Sequence, residues 1–186
     1  MKRMACMKFE DVLGNERLWA VVYDGEADNI LSRIFSQWVD LDSLYSFFEE
    51  NHADLNSYFR ITDISQAVFE TVTDAMAMKA VLLDVGPDTH LDRIFRPLEN
   101  SRMNEMILSR EKAKGPRQFG HASWLRLYAL KFEPDTYLVT GGAIKLTRTM
   151  EEREHTRREL VRMEQVRDYL LEQGAVDLDG FKDYMS

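Results

Sequence analysis

The sequence predicts an α+β fold: a small antiparallel sheet with a central hairpin, packed against several helices. Three observations carry this. Ser123 to Met150, SWLRLYALKFEPDTYLVTGGAIKLTRTM, reads as two long strands around a tight turn that run straight into a helix. Between Asn29 and Leu83 apolar residues recur at helical spacing. No repeat, linker or low-complexity segment divides the chain, so residues 1–186 read as one domain, with a strand and helical part over 17–114 and a hairpin plus C-terminal helix over 121–174.

Arg17 to Asp24, RLWAVVYD, is a short apolar run ending at Gly25 and predicts a buried strand able to pair with the hairpin. Ile30, Leu31, Ile34, Phe35 and Trp38 then give one helix face, interrupted at Asp40 or Asp42. From Ser43 the row Leu44, Tyr45, Phe48, Leu55 and Phe59 continues the helical pattern. Thr62 or Asp63 can cap the next helix, whose inner face is Ile64, Val68, Val72, Ala75, Met78 and Leu82 and which ends at Gly86-Pro87. LDRIF forms a short connecting helix stopped before Pro97, Ser101 to Lys114 a further helix, and Gly115 to Ala122, GPRQFGHA, a loop. After the hairpin, capping boxes at Thr149-Met150-Glu151-Glu152 and Thr156-Arg157-Arg158-Glu159 offer two starts for the last helix. Its buried stripe is Leu160, Met163, Val166 and Leu170, it ends at Gly174, and the acidic tail to Ser186 is expected to fray.

In the hairpin, Leu125, Leu127 and Ala129 form one apolar row and Trp124, Arg126, Tyr128, Leu130 and Phe132 the other, which places this strand centrally. Glu133-Pro134-Asp135-Thr136 suits a type I turn, and Tyr137 to Leu146 returns at strand density. A two- or four-residue loop sets Arg126 opposite Ala143, Tyr128 opposite Gly141 and Trp124 opposite Lys145, so that Arg126, Tyr128 and Lys145 share a face. Gly141 and Gly142 then leave room for a ligand or another backbone. A three- or five-residue loop moves Lys145 to the other face. The plainer alternative is a pair of glycines at a β-bulge, with charged side chains snorkelling to the rim.

Composition excludes several classes. At 45% hydrophobic and 30% charged, the chain is too apolar to be disordered. The single cysteine, Cys6, excludes an internal disulfide framework and a Cys-rich zinc site, and fits a reducing cytoplasm. No apolar run approaches the roughly 20 residues of a membrane span, so no membrane partner is expected. Net charge is -8, yet it is segregated: residues 1–100 carry 9 Lys and Arg against 18 Asp and Glu, residues 101–150 carry 9 against 4, and residues 151–186 carry 6 against 10. The basic excess lies on and just before the hairpin.

No P-loop, dinucleotide fingerprint, HExxH or GxSxG motif occurs, and no cofactor is implied. His52, His90, His121 and His155 lie in separate segments, and Met76, Met78, Met103 and Met106 read as core or gap-filling residues. What remains is Arg110, Lys112, Lys114, Arg117 and His121, immediately before Arg126, Tyr128, Lys145 and Arg148. Cleaving RNA without a metal requires a base for the ribose 2′-hydroxyl, an acid for the leaving 5′ oxygen and cations beside the phosphate. Lys112, Lys114, His121 or Tyr128 can move protons, and Arg126, Lys145 and Arg148 can hold phosphate. A solvated basic loop is the competing account of the same run.

Leu125 to Leu170, LRLYALKFEPDTYLVTGGAIKLTRTMEEREHTRRELVRMEQVRDYL, resembles the C-terminal half of RelE-like and HigB-like toxins of bacterial toxin-antitoxin systems. Arg126 matches their strand arginine, and Lys145 with Thr147 matches their Lys-Thr element. The resemblance implies a RelE-like fold enlarged by a helical insertion; joined to the reading of the basic run, it gives a site at Arg126, Tyr128, Lys145 and His121, with RNA contacts at Lys112, Lys114, Arg117 and Arg148. It also implies cleavage of messenger RNA, often on the ribosome, and an antitoxin as partner. The alternatives within that resemblance are a non-catalytic binding module and a toxin that inhibits a DNA topoisomerase by binding.

Overall fold

The computed structural model of the chain describes residues 7–84, 86, 88–98 and 107–186. Among these, helices and one mixed sheet give the α+β class. The strands are β1 (Lys8–Asp11), β2 (Leu18–Val22), β3 (Phe95–Pro97), β4 (Ser109–Lys114), β5 (Leu125–Glu133) and β6 (Thr136–Ile144), in spatial order β1-β2-β6-β5-β4-β3. The helices are α1 (Ile30–Trp38), α2 (Leu41–Glu50), α3 (His52–Phe59), α4 (Ile64–Leu83), α5 (Glu154–Glu172) and α6 (Leu178–Met185). None is long and apolar enough to cross a membrane among the described residues.

The hairpin β5–β6 sits at the centre, buried on both faces, as its two apolar rows require. The expected strand at Arg17 to Asp24 is β2, and it joins β6 in parallel; every other pairing is antiparallel, so the sheet is mixed rather than antiparallel throughout. Helix α1 lies on the Gly142 and Leu127 face, with Ile34 against Gly142, whereas α5 covers the face of Tyr128 and Gly141.

Register is set by an even number of defects. The loop is Pro134-Asp135, and Glu133 pairs with Thr136. An extra residue on β5, Phe132, shifts the pairing by one, and an extra residue on β6, Thr140, shifts it back. Arg126 therefore faces Ala143 and Tyr128 faces Gly141, the register in which Lys145 joins them; Lys145 N donates to the Trp124 carbonyl at 2.7 Å. The turn is not type I, because Asp135 takes φ +60°, where that type has a negative value. Asp135 adopts it inside a reciprocal clasp: its Oδ1 accepts from Asp92 N at 3.0 Å and its own N donates to Asp92 Oδ1 at 3.1 Å.

Side-chain caps fix the helix starts: Asn29 accepts from Ser32 N, Asp40 from Ser43 N and Asp63 from Ser65 N. Helix α4 buries Val68, Ala75, Met78 and Leu82 as expected, and it also buries Glu70, Thr71 and Asp74. Neither expected capping box starts α5. Thr149 N does donate to Glu152 Oε1 at 2.7 Å, but in a turn ahead of the helix, which begins at Glu154 and places Thr156 inside it. Gly174, at φ +72°, ends the segment as expected.

Three expectations are corrected. Residues 109–114 of the segment assigned to a helix form strand β4, while residues 101–106 lie outside the described ones, as do Cys6, Met103 and Met106. LDRIF is a single 3-10 turn at Leu91–Arg93 leading into β3. The acidic tail does not fray: Asp177 caps α6, and Phe181, fully buried, meets Phe9, Trp19 and Phe132 with ring centroids 5.0, 5.1 and 4.7 Å away. Burial of this ring, with the backbone hydrogen bonds of α6, works against the cost of ordering a short helix.

Candidate anion-binding cavity

Pairing of β4 with β5 sets Lys114 opposite Arg126, Lys112 opposite Tyr128 and Arg110 opposite Leu130. All three β4 cations thus share the face that β5 and β6 give to Arg126, Tyr128 and Lys145. Between this face and α5 lies a cavity of about 410 Å3 lined by these residues and by Arg148. Its other wall comes from Leu98, from Thr149, Met150 and Glu151 in the turn before α5, and from Leu160 and Glu164 of α5.

Like charges placed opposite one another on neighbouring strands weaken a sheet. Here they are held in place by backbone carbonyls. Arg126, 9% exposed, donates to the carbonyls of Ser123 at 2.6 Å and Leu125 at 2.8 Å. Lys112 donates to Leu98 O at 3.1 Å, and Lys145 to Thr147 O at 3.0 Å and Arg148 O at 2.6 Å. Arg110 pairs with Glu164 at 2.6 Å. Among the described residues, Lys112, Lys114, Arg126, Lys145 and Arg148 form no ion pair with a carboxylate.

The protonation equilibria record the same crowding. Burial, then the charges of Lys114 and Arg126, push the Lys112 ammonium below the ordinary lysine value. Burial, then Arg126 and Lys112, do the same to Lys145. Arg126 is lowered by burial, and Tyr128 is raised by burial despite the opposing charge of Arg126. The Tyr128 hydroxyl is buried without a hydrogen-bond partner. A site with excess positive charge, fixed donors and a neutral hydroxyl is suited to an anion carrying several acceptor oxygens.

The two glycines do not open the site. A β-carbon at Gly141 would fall 1.9 Å from Glu159 Oε2, and one at Gly142 would fall 2.9 Å from the Arg126 carbonyl oxygen. Gly141 therefore admits the Glu159 carboxylate of α5, and Gly142 the close approach of the neighbouring strand.

Of the residues expected to act, Arg126, Tyr128, Lys145, Lys112, Lys114 and Arg148 meet in the cavity. His121 and Arg117 do not. His121 Nε2 lies 2.7 Å from Glu70 Oε2 and its Nδ1 lies 2.9 Å from Ala122 O, with the ring stacked on Trp124. Arg117 donates to Gly120 O within its own loop. Glu164, by contrast, was not anticipated, although a signal existed: it lies four residues after Leu160, on the helix face assigned to the interior. Among the described residues, no group of three or more His, Cys, Asp or Glu side chains is placed to hold a metal ion. Comparison of the chain with protein-family models, with curated proteins and with solved structures gives no match in any of the three.

Proposed function

We propose that the cavity binds the phosphate backbone of RNA and that the chain is a RelE-like endoribonuclease of the toxin type, cutting messenger RNA. The observation that carries this is the convergence of Lys112, Lys114, Arg126, Lys145 and Arg148, all lacking a carboxylate partner among the described residues, around the unpartnered hydroxyl of Tyr128. The element order is compatible with it in part: strand β2 and helices α1 to α4 precede the antiparallel strands β3 to β6 and then α5, where the resemblance implies one strand and a helical pair before an antiparallel sheet, while β1 and α6 are additions to that pattern.

In this reading Arg126, Lys114 and Arg148 hold the phosphate and meet the charge that grows on its oxygens during attack. Lys112 and Lys145, pushed toward the neutral amine, are the groups able to take the 2′-hydroxyl proton. Tyr128 keeps its proton and can give it to the leaving 5′ oxygen. His121 has no part in this scheme, since both ring nitrogens are engaged elsewhere. An antitoxin would act by covering the basic face.

The test is incubation of the purified chain with free messenger RNA and with ribosomes programmed by the same message. Cleavage leaving 2′,3′-cyclic phosphate ends supports the proposal. Binding without cleavage of either substrate supports the second reading, a non-catalytic RNA-binding module. One observation favours that second reading: Tyr128 is only 1% exposed beneath α5.

A further inference from the structure

The cavity has two unlike halves. The sheet, with Lys145 and Arg148 just beyond it, supplies cations, whereas the wall formed by α5 and the preceding turn supplies Leu160, Met150 and the carboxylates of Glu151 and Glu164, of which Glu164 is the one held by Arg110. A nucleotide divides in the same way, into an anionic backbone and a flat base with polar edges. With phosphate on the sheet, its base lies toward Leu160 and Glu164, which follow one another by one helical turn on one face of α5.

We infer that Glu164 selects the base, and that the base it selects is guanine; this rests on the reading that the cavity holds RNA. Arg110 holds Glu164 at the cavity wall through the 2.6 Å contact to Oε1, which restricts the side chain and leaves Oε2 and the second lone pair of Oε1 to accept from a ligand. The Glu164 side chain is 39% exposed, which leaves it reachable from the cavity. A carboxylate can only accept hydrogen bonds. Among the four bases, guanine alone has two adjacent N–H donors on its pairing edge, N1–H and N2–H, and these meet two carboxylate oxygens as an arginine fork does. Adenine and cytosine each offer an exocyclic amine beside an acceptor nitrogen, and uracil one N–H between two carbonyls. Each of the three therefore turns at least one acceptor toward the negative charge, which costs affinity.

The experiment measures binding of a short all-uridine RNA, and of the same strand carrying a single central guanosine, inosine, adenosine or cytidine, at fixed salt, to the full chain and to Glu164→Gln. Inosine is guanosine without the N2 amine. For the wild type, guanosine should bind on the order of tenfold tighter than inosine, the range expected for one base-edge contact. In Glu164→Gln, an isosteric change that retains the volume of the side chain, that ratio should fall to about one while binding of the all-uridine strand stays unchanged or tightens. Equal wild-type affinity for guanosine and inosine strands overturns the assignment of Glu164 while leaving RNA binding intact, and so does a guanosine preference that survives in Glu164→Gln. Absence of binding by any strand overturns the RNA reading and this inference with it.

Discussion

At the contact of α4 with the loop that follows β4, buried charge is matched partner by partner. Glu70 receives Gln66 Nε2 at 3.0 Å and His121 Nε2 at 2.7 Å, Asp74 receives Gln118 Nε2 at 3.0 Å, and Trp124 Nε1 donates to Thr71 Oγ1 at 2.9 Å. Across the sheet, the cavity gathers cations of which Lys112, Arg126 and Lys145 donate to backbone carbonyls, and Arg110 alone among the cavity cations pairs with a carboxylate within the described residues. Matched polar groups hold a fold in one arrangement, while unmatched ones retain the capacity to bind something else. Histidine and acid at α4 therefore hold the loop, whereas Lys112, Lys114, Arg126, Lys145 and Arg148 in the cavity are left without a carboxylate partner among the described residues.

The largest expected effect tests the cavity side of that contrast. Arg126→Ala and Lys145→Ala should each lower RNA cleavage on the order of 100- to 1000-fold, with folding retained and RNA affinity falling less. Cleavage kinetics under single-turnover conditions, alongside a thermal melt, separate these. Cleavage that survives both substitutions would place the chemistry elsewhere.

The α4 side should behave in the opposite way. His121→Ala leaves the buried Glu70 carboxylate without its ring partner and removes the stack on Trp124, so it should cost about 2 kcal/mol of stability, less than for a fully buried pair because the histidine is a quarter exposed. Cleavage by the folded variant should stay within about twofold of wild type, because the ring does not line the cavity and both its nitrogens are engaged elsewhere. A large loss of activity with unchanged stability would dissolve the distinction between the two clusters.

The smallest effect has the opposite sign. Lys112→Met removes one of several like charges and should stabilise the chain on the order of 0.5 kcal/mol at neutral pH. Because the folded state lowers the Lys112 value, the unfolded state binds the extra proton between that lowered value and the ordinary 10.5. The lysine is therefore destabilising below this window, and its effect fades as pH rises through it. The advantage of the variant over wild type should shrink in urea melts taken at increasing pH. Comparing the two chains largely removes the buried phenols of Tyr23, Tyr128 and Tyr137, whose raised values act in the opposite sense. An advantage that grew toward alkaline pH would contradict the crowding account.

The hairpin, the Asp63 cap of α4 and, given an even loop, the grouping of Arg126, Tyr128 and Lys145 were legible because they depend on periodicity within one stretch, whereas the turn type and the start of α5 were not. Strand β4 was not. Its sequence, SREKAK, puts Arg110, Lys112 and Lys114 on the cavity face and Ser109, Glu111 and Ala113 on the other, with Glu111 4% exposed. Charge on both faces erases the alternation by which a strand is recognised and leaves a run that looks like a solvated helix. Helix α6 was hidden for a related reason, since Phe181 is its one fully buried side chain and a single ring gives no stripe. His121 had the right chemistry for a proton carrier, but nothing local to it shows that Glu70, far earlier in the chain, is its partner. Glu164 was obscured by the assumption that the inward face of α5 would be apolar.

The paired bulges at Phe132 and Thr140 make the cavity end of the hairpin depend on parity, much as a reading frame depends on insertions and deletions that balance. A ladder with neither defect would align Arg126 with Ala143 just as the observed one does. A ladder with only the first would align Arg126 with Gly142 and turn Lys145 toward the α1 face. There Ile34 Cδ1 and Leu127 Cδ2 crowd Gly142, and an ammonium would be forced among packed hydrocarbon. Desolvation of one lysine thus weighs against the frame-shifted hairpin, so the residue that lines the cavity also favours the strand pairing that builds it.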